Sequence, residues 1–242
     1  MKSIRFCCWV RYTRTVSTPT AGRPLRKDAE RNRLRVLAAA RALFAERGLE
    51  PNLNEVAHHA GVGVGTVYRR FRTKEELLEA IFEDGLDQIT ALAEAALRHD
   101  DPWLGFVWLV EQMCEITATD RGLREIAFSK SYGGDRVTAA QDRLVPVLER
   151  VVERAQHDGR LRPDFSATDM PIINLLAGSV SEFAGHVDPQ LWRRYVAMLL
   201  DGMRSPDNQT QLPVAALGDE RLDVAMRTWK PAGGPADHSE TS

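Results

Sequence analysis

The sequence predicts an all-α protein made of a small N-terminal domain and a larger helical domain behind it. Through most of the 242-residue chain, apolar residues recur at the spacing of one helix face. Glycine and proline occur mostly between these stretches, and no strand-like alternation extends beyond a few residues. With 43% hydrophobic residues, the chain can bury a sizeable core.

Charge is distributed unequally along the chain. Residues 1–80 contain 16 Lys and Arg against 8 Asp and Glu, whereas residues 81–242 contain 16 against 26. A basic N-terminal third attracts a polyanion such as DNA, and an acidic remainder repels it. The alternative is chance clustering of solvated charge.

Both ends of the chain differ in composition from the middle. Residues 1–27 are predicted to be a disordered basic extension, and residues 205–242 a mostly disordered tail with one helical stretch near 217–229. The extension is either an artefact of start assignment, with Val16 as an alternative start, or a basic arm that adds phosphate or minor-groove contacts.

Cysteine usage and hydropathy limit the compartment and the chemistry. Cys7, Cys8 and Cys114 form neither a disulfide framework nor a metal-binding spacing. No apolar stretch approaches the roughly 18–20 residues that cross a membrane. These features predict a cytoplasmic protein with no membrane partner, no cofactor and no metal site.

Residues 28–75 are predicted to form a three-helix domain. The first helix covers 31–47 and ends at Gly48. Asn52 and Glu55 have the spacing of a capping box, which opens a second helix over 53–60. After a turn at Gly61, a third helix covers 64–71. Thr73 and the glutamate three residues later repeat the capping spacing and open a long helix to residue 98.

The second and third helices, joined at residues 60–63, have the layout of a helix-turn-helix. The tight turn favours glycine at a backbone conformation that is costly for other residues. The third helix offers Thr66, Tyr68, Arg69 and Arg70, which are donors suited to phosphates and base edges in the major groove.

This stretch resembles the N-terminal domain of the tetracycline-repressor (TetR) family of bacterial regulators. The family pattern is I-L-x-A-A-x-x-L-F, a Gly, D/E-I-A, A-G-V-S-x-G-T-[LV]-Y-x-x-F and K-x-x-L. The matching positions in this chain are residues 36–37, 39–40, 43–44, 48, 55–57, 60–68, 71, 74 and 77. The resemblance implies a bacterial transcriptional regulator that binds double-stranded DNA.

The resemblance also implies which residues contact DNA. In the family, the tyrosine and lysine matching Tyr68 and Lys74 commonly touch the DNA backbone, and the position of Thr66 lies at or beside the groove. Two departures are that Gly63 replaces the usual Ser and Asn52 replaces the usual Thr. The DNA-binding candidates are Asn52, Val64, Thr66, Tyr68, Arg69, Arg70 and Lys74.

For residues 76–204, the resemblance implies a helical ligand-binding and dimerisation domain. Helices are expected from Trp103 to about 117, over 122–129, through 144–155 with Pro146 as a kink or a start, from Ser166, and from about 188 to 203. A homodimer is expected through 166–203, where Gly178, Ser179 and Ser181 would allow close approach. The alternative is that these apolar stripes serve only the core of one chain.

The implied function is a homodimeric repressor that a small, mainly apolar or aromatic ligand releases from a palindromic operator. The pocket candidates are Trp103, Phe106, Trp108, Met113, Phe128, Tyr132, Asn174 and Phe183. One alternative is a DNA-binding regulator without a small-molecule inducer. A remote one is an enzyme, but the chain has none of the common nucleophile, metal or phosphate-loop motifs, and the adjacent His58 and His59 make a poor chelate.

Overall fold

The computed structural model describes residues 24–120, 122–123, 134–205 and 210–228. Within these ranges the chain forms nine helices of seven or more residues and no strand, apart from one isolated bridge between Leu161 and Arg204. The prediction of an all-α protein is therefore confirmed.

Four helices build the N-terminal part. They are α1 (Pro24–Arg47), α2 (Leu53–Ala60), α3 (Val64–Arg70) and α4 (Lys74–Leu97). The predicted helices match closely, except that α1 begins at Pro24, inside the segment expected to be disordered. Residues 1–23 lie outside the described part of the chain.

Five helices follow. They are α5 (Pro102–Thr119), α6 (Asp135–His157), α7 (Asp169–Ala184), α8 (Leu191–Met203) and α9 (Asp219–Thr228). Of the helix expected over 122–129, only Gly122 and Leu123 are described, and both are helical and buried. The short helix α9 lies where one helical stretch was expected in the tail.

Pro146 lies inside α6, so it is not the start of that helix. Pro146 and the preceding Val145 are both exposed. The hydrogen bond that proline cannot donate therefore falls on the solvent side, where water can satisfy the freed carbonyl group.

Two hydrophobic cores share α4, one along its first two turns and the other along its later turns. The N-terminal core combines apolar residues of α1, α2 and α3 with Leu77, Leu78 and Ile81 of α4, and also contains Leu123. The larger core joins α4 to α5, α6, α7 and α8. Because α4 contributes to both cores, the domain boundary at residues 75 and 76 stays a prediction.

Polar contacts also join α1 to α4 near the place where the two cores meet. Arg41 of α1 donates to the Asp84 carboxylate at 3.0 Å and to the Ile81 carbonyl at 3.3 Å. Gly122 approaches α1 so closely that a Cβ atom there would lie 2.3 Å from the Arg41 carbonyl oxygen. Among the described residues, no helix is long and apolar enough to cross a membrane.

Candidate nucleic-acid interface

The turn between α2 and α3 is held in place by its backbone. Gly61 adopts a left-handed conformation with φ of 62°, which glycine accepts without strain. Its N–H donates to the His58 carbonyl, and the Val62 N–H donates to the Ala57 carbonyl, both at 3.1 Å. Arg35 of α1 donates to the Ala60 carbonyl at 3.0 Å. The hydrogen bonds within the turn and the Arg35 hydrogen bond from α1 together hold α2 and α3 in their relative orientation.

The start of α2 carries the expected capping box. The Asn52 Oδ1 accepts hydrogen bonds from the Asn54 and Glu55 N–H groups at 2.9 and 3.1 Å, and the Asn52 N–H donates to Glu55 at 2.9 Å. This last bond, together with the Arg47 guanidinium 2.7 Å away, lowers the pKa of Glu55. The Asn52 amide NH2 group is the part of that exposed side chain that remains to donate to a phosphate.

Helix α3 is anchored by one face and exposed on the rest. Val67 within the helix and Phe71 at its end are buried. Val64 and Tyr68 are 45% and 44% exposed, and both Arg69 and Arg70 are exposed. The helix contains no acidic residue, and its N-cap Gly63 provides no side-chain hydrogen bond. The surface it presents is therefore cationic with two apolar groups.

The start of α4 differs in detail from the predicted capping box. The Thr73 side chain accepts from the Glu76 N–H at 3.2 Å, but the Glu76 carboxylate accepts from the Arg72 N–H, not from Thr73. The Lys74 ammonium donates to the Leu49 carbonyl and lies 6.0 Å from the centre of the Phe44 ring. Lys74 therefore also ties α4 to the loop after α1.

Most, but not all, of the DNA-binding candidates have exposed side chains. The exposed side chains of α3 form its outer surface, with the exposed Asn52 at the start of the neighbouring α2. Lys74 is half-buried and Thr66 is partly shielded. Sequence reasoning missed Arg35, whose role in holding the turn depends on α1 packing across α2 and has no local signal.

Three of the pocket candidates are not among the residues that line the gap between α5 and α7 described below. Trp103 and Phe106 are buried in the larger core with ring centres 5.7 Å apart. Trp108 is half-buried, with its ring centre 5.9 Å from that of His99. The two buried rings are core residues in this structure.

Met113 and Asn174 do line a gap between α5 and α7. The gap leaves no space for a water molecule, and its other lining residues are Val110, Cys114, Met170 and Ile173. The Asn174 Oδ1 accepts from the Thr117 hydroxyl at 3.3 Å, which helps to hold the two helices together.

Another pocket candidate, Phe183, has an exposed side chain. Its side chain is 82% exposed on α7 within the part of the chain that the structure describes. Phe128 and Tyr132 lie outside the described residues. A roomier cavity of about 270 Å³, which the sequence did not indicate, lies between α6, the loop at 165–168 and the segment at 217–219.

A cationic recognition helix held across a second helix by a glycine turn defines the class of helix-turn-helix DNA-binding proteins. The comparisons agree with this class. The family model "Bacterial regulatory proteins, tetR family" matches residues 36–81, and the model "Transcriptional regulator SbtR-like, C-terminal domain" matches residues 101–205.

Solved structures give the same result over most of the chain. A TetR transcription regulatory protein from Mycobacterium vanbaalenii is 34% identical, with a TM-score of 0.54 over 75% of this chain and 99% of that chain. A TetR transcriptional regulator from Streptomyces coelicolor is 26% identical, with a TM-score of 0.54 over 72% of this chain and 98% of that one. The chain belongs to the TetR family of transcriptional regulators.

Curated relatives match about a quarter of the chain. An HTH-type transcriptional regulator of Staphylococcus aureus (strain USA300) is 41% identical over 64 residues, which are 26% of this chain and 35% of the relative. The match therefore spans about a third of the relative's length.

Proposed function

We propose that this regulator is a homodimeric repressor that binds a palindromic operator through α3 and is released from it by a small, mainly apolar or aromatic ligand. The observation that carries the DNA-binding part is the outer face of α3, which presents arginines, a tyrosine and a threonine without any acidic side chain. Such a face suits contacts to phosphates and base edges in the major groove. No catalytic activity is part of the proposal.

The homodimer is supported by an exposed apolar face on α7 and α8. On α7, Leu176 is 47% exposed and Phe183, seven residues later, is 82% exposed on the same side. On α8, Tyr195 and Met198 are 44% and 60% exposed. Large apolar patches of this kind on a helical surface are typical of protein interfaces. Two copies would place two α3 helices for half-sites about 34–36 Å apart.

The ligand part is supported by the apolar gap between α5 and α7. Its lining is mostly aliphatic and thioether, so it suits an apolar ligand better than a charged one. Because the gap is closed, a ligand has to separate the two helices in order to enter. It would then favour a conformation that differs from the one described, and release of DNA follows from that differential binding.

The closed gap also favours a second candidate, a DNA-binding regulator without a small-molecule inducer. The two candidates differ in how the protein responds to apolar compounds. A ligand that fits raises the unfolding temperature and weakens operator binding in the same concentration range. If no compound in a broad apolar and aromatic set does both, the second candidate is favoured.

The first experiment is selection of bound sequences from random duplex DNA with the full chain. We expect an enriched palindrome and an affinity that falls steeply with salt. The variant Tyr68→Ala should weaken binding to all sequences alike, because a backbone contact carries no base information. Leu104→Ala is the matched control, since Leu104 is 53% exposed on α5, outside the proposed interface. Selection without any enriched sequence would refute the proposal.

A further inference from the structure

We infer that Arg69 reads a guanine in the major groove, whereas Arg70 contacts the phosphate backbone. This inference rests on the proposed sequence-specific DNA binding and divides the work between two adjacent arginines of α3. Both are exposed and both are the same residue type, so composition and spacing do not distinguish them. The direction in which each leaves the helix does.

The buried side of α3 sets the inward direction. Val67 is fully buried and Phe71, at the end of the helix, is 1% exposed. Since successive residues of an α-helix are about 100° apart, Arg69 lies about 160° from Val67 around the axis. By the same count Arg70 lies only about 60° from Val67. Arg69 therefore leaves the helix directly away from the domain core, and Arg70 leaves it from the side.

Gly65 lies one turn before Arg69 and on the same outward-facing side of α3. A Cβ atom at Gly65 would meet nothing within 4 Å, so the backbone there is open to the outside. The absence of a side chain at this position allows the helix axis to come close to base edges. It also leaves space along the helix for the long Arg69 side chain.

Thr66 orients Arg69. The Arg69 Nη2 donates to the Thr66 Oγ1 at 3.3 Å, which draws the guanidinium back toward the first turn of α3. Recognition helices of this type contact bases mainly with their N-terminal residues. The contact thus brings a side chain from the end of α3 to the part of the helix that meets the bases, and restricts its rotamers before DNA is bound.

The chemistry of the two positions then differs. A guanidinium aimed into the groove matches the O6 and N7 acceptors of guanine with two parallel hydrogen bonds. A guanidinium at the side of the same helix meets the sugar-phosphate wall of the groove, where it adds charge attraction without base preference. The structure therefore assigns specificity to Arg69 and general affinity to Arg70.

The test compares Arg69→Ala with Arg70→Ala in the full chain. The two variants lose the same atoms and the same charge from neighbouring exposed positions, so each is the control for the other. Selection from random duplexes gives the wild-type operator and the guanines in its half-sites. Affinities are then measured for that operator, for single-base variants of it, and for operators in which one guanine is replaced by 7-deazaguanine, which lacks the N7 acceptor.

We expect Arg69→Ala to lose preference for one guanine per half-site by a factor of about 5 to 150. Replacing that guanine by 7-deazaguanine should weaken the wild type and leave Arg69→Ala nearly unchanged. Arg70→Ala should weaken binding to all sequences by a similar factor and lower the salt slope by about one per protomer.

The opposite pattern, with base preference lost in Arg70→Ala and kept in Arg69→Ala, would overturn the inference. So would a wild-type operator whose preferences both variants keep, because DNA binding would then be sequence-specific through other residues. If the wild type enriches no sequence, the proposed function itself fails, and the inference fails with it. Equal urea midpoints for the two variants show that the comparison concerns binding, not folding.

Discussion

At the scale of single residues, two glycines of the helix-turn-helix have opposite requirements. Gly61 has a φ of 62°, a conformation that costs other residues about 1–2 kcal/mol. Gly63 has φ of −62° and ψ of 138°, which any residue adopts, and it lacks a capping side chain at the start of α3. A side chain is therefore unfavourable at the first position and useful at the second.

We expect Gly63→Ser to raise the free energy of unfolding by about 0.5 kcal/mol, because the serine hydroxyl can accept a hydrogen bond from the first turn of α3. The new Cβ atom would lie 3.7 Å from the Thr66 Oγ1, an ordinary contact. Gly61→Ser is the control with the opposite sign and should lower the free energy by about 1 kcal/mol or more. Urea unfolding of the full chain measures both. Equal effects at the two positions would contradict this explanation.

Cys114 shows how burial controls a reactive group. Burial in the larger core raises the pKa of its thiol from 9.0 to about 12, and the nearby Glu111 carboxylate adds to the effect. The unfolded chain loses this proton more easily than the folded one. The buried neutral thiol therefore contributes its full stabilisation to the folded state below about pH 9, and this contribution is lost as the pH rises toward 12.

In a Cys7→Ser/Cys8→Ser variant, the remaining Cys114 thiol should react with a disulfide reagent at pH 8 about 1000-fold more slowly when folded than in urea. The reason is that the thiolate is the reacting species and its fraction falls tenfold for each pKa unit. The measurement is the pseudo-first-order rate in the two conditions. Similar rates would show that Cys114 is accessible and ionisable in the folded protein.

At the scale of helices, α4 and α6 form a closely tied pair. Arg143 of α6 pairs with Asp87 of α4 at 2.6 Å. At the far end of α4, the Arg154 guanidinium donates to the Leu97 carbonyl at 3.0 Å and to the His99 carbonyl at 2.6 Å. These carbonyls belong to the last turn of α4 and the residues after it, where intrahelical donors run out.

Arg154→Ala should lower the free energy of unfolding by about 1–2 kcal/mol, because it leaves these carbonyl groups without their charged donor. Arg150→Ala, one turn earlier on α6, is the matched control. Arg150 is exposed, so its removal should change the free energy by less than about 0.5 kcal/mol. Urea midpoints and slopes give both values. A loss at Arg150 as large as that at Arg154 would point to a general effect of charge.

At the scale of the whole molecule, the exposed apolar face of α7 and α8 is the surface through which we propose that the homodimer forms. Phe183→Asp and Met198→Asp should convert the proposed dimer to a monomer, because each places a charge in the centre of an apolar interface. Light scattering coupled to size exclusion measures the mass. Operator affinity should fall in parallel, since one protomer can occupy only one half-site.

Leu104→Asp serves as the control for this experiment, because Leu104 is also more than half exposed but lies on α5. It should leave both mass and operator affinity unchanged. A wild-type protein that is already monomeric, or variants that remain dimeric at the same concentration, would contradict the assignment of this face to the homodimer.

Much of the fold could be predicted from sequence because its signals are local. Helical periodicity, the capping box at Asn52 and the glycine turn at Gly61 each act within a few residues, and the helices α2, α3 and α4 lie where these signals placed them. The start of α1 was missed, since residues 24–30 continue the helix without an apolar stripe strong enough to indicate it.

The candidate site was predicted less completely. The sequence predicted that α3 contacts DNA, but it did not indicate that Lys74 donates to the Leu49 carbonyl or that Arg35 secures the turn. It also did not indicate that the Phe183 side chain is 82% exposed on α7. Each of these outcomes depends on residues at least 25 positions apart or on the absence of a neighbour, and neither has a local pattern.

The sequence by itself determined the all-α class, the helix-turn-helix and the family, because periodicity, caps and the glycine turn are encoded by neighbouring residues. Only the tertiary structure decided which direction is inward for each helix. The packing of the helices makes α4 part of both cores and leaves no space for water in the gap between α5 and α7. It also leaves Phe183 exposed and gives Arg69 and Arg70 different directions relative to the buried Val67. The physical reason is that a helix alone has no inside: burial is defined by the elements packed against it.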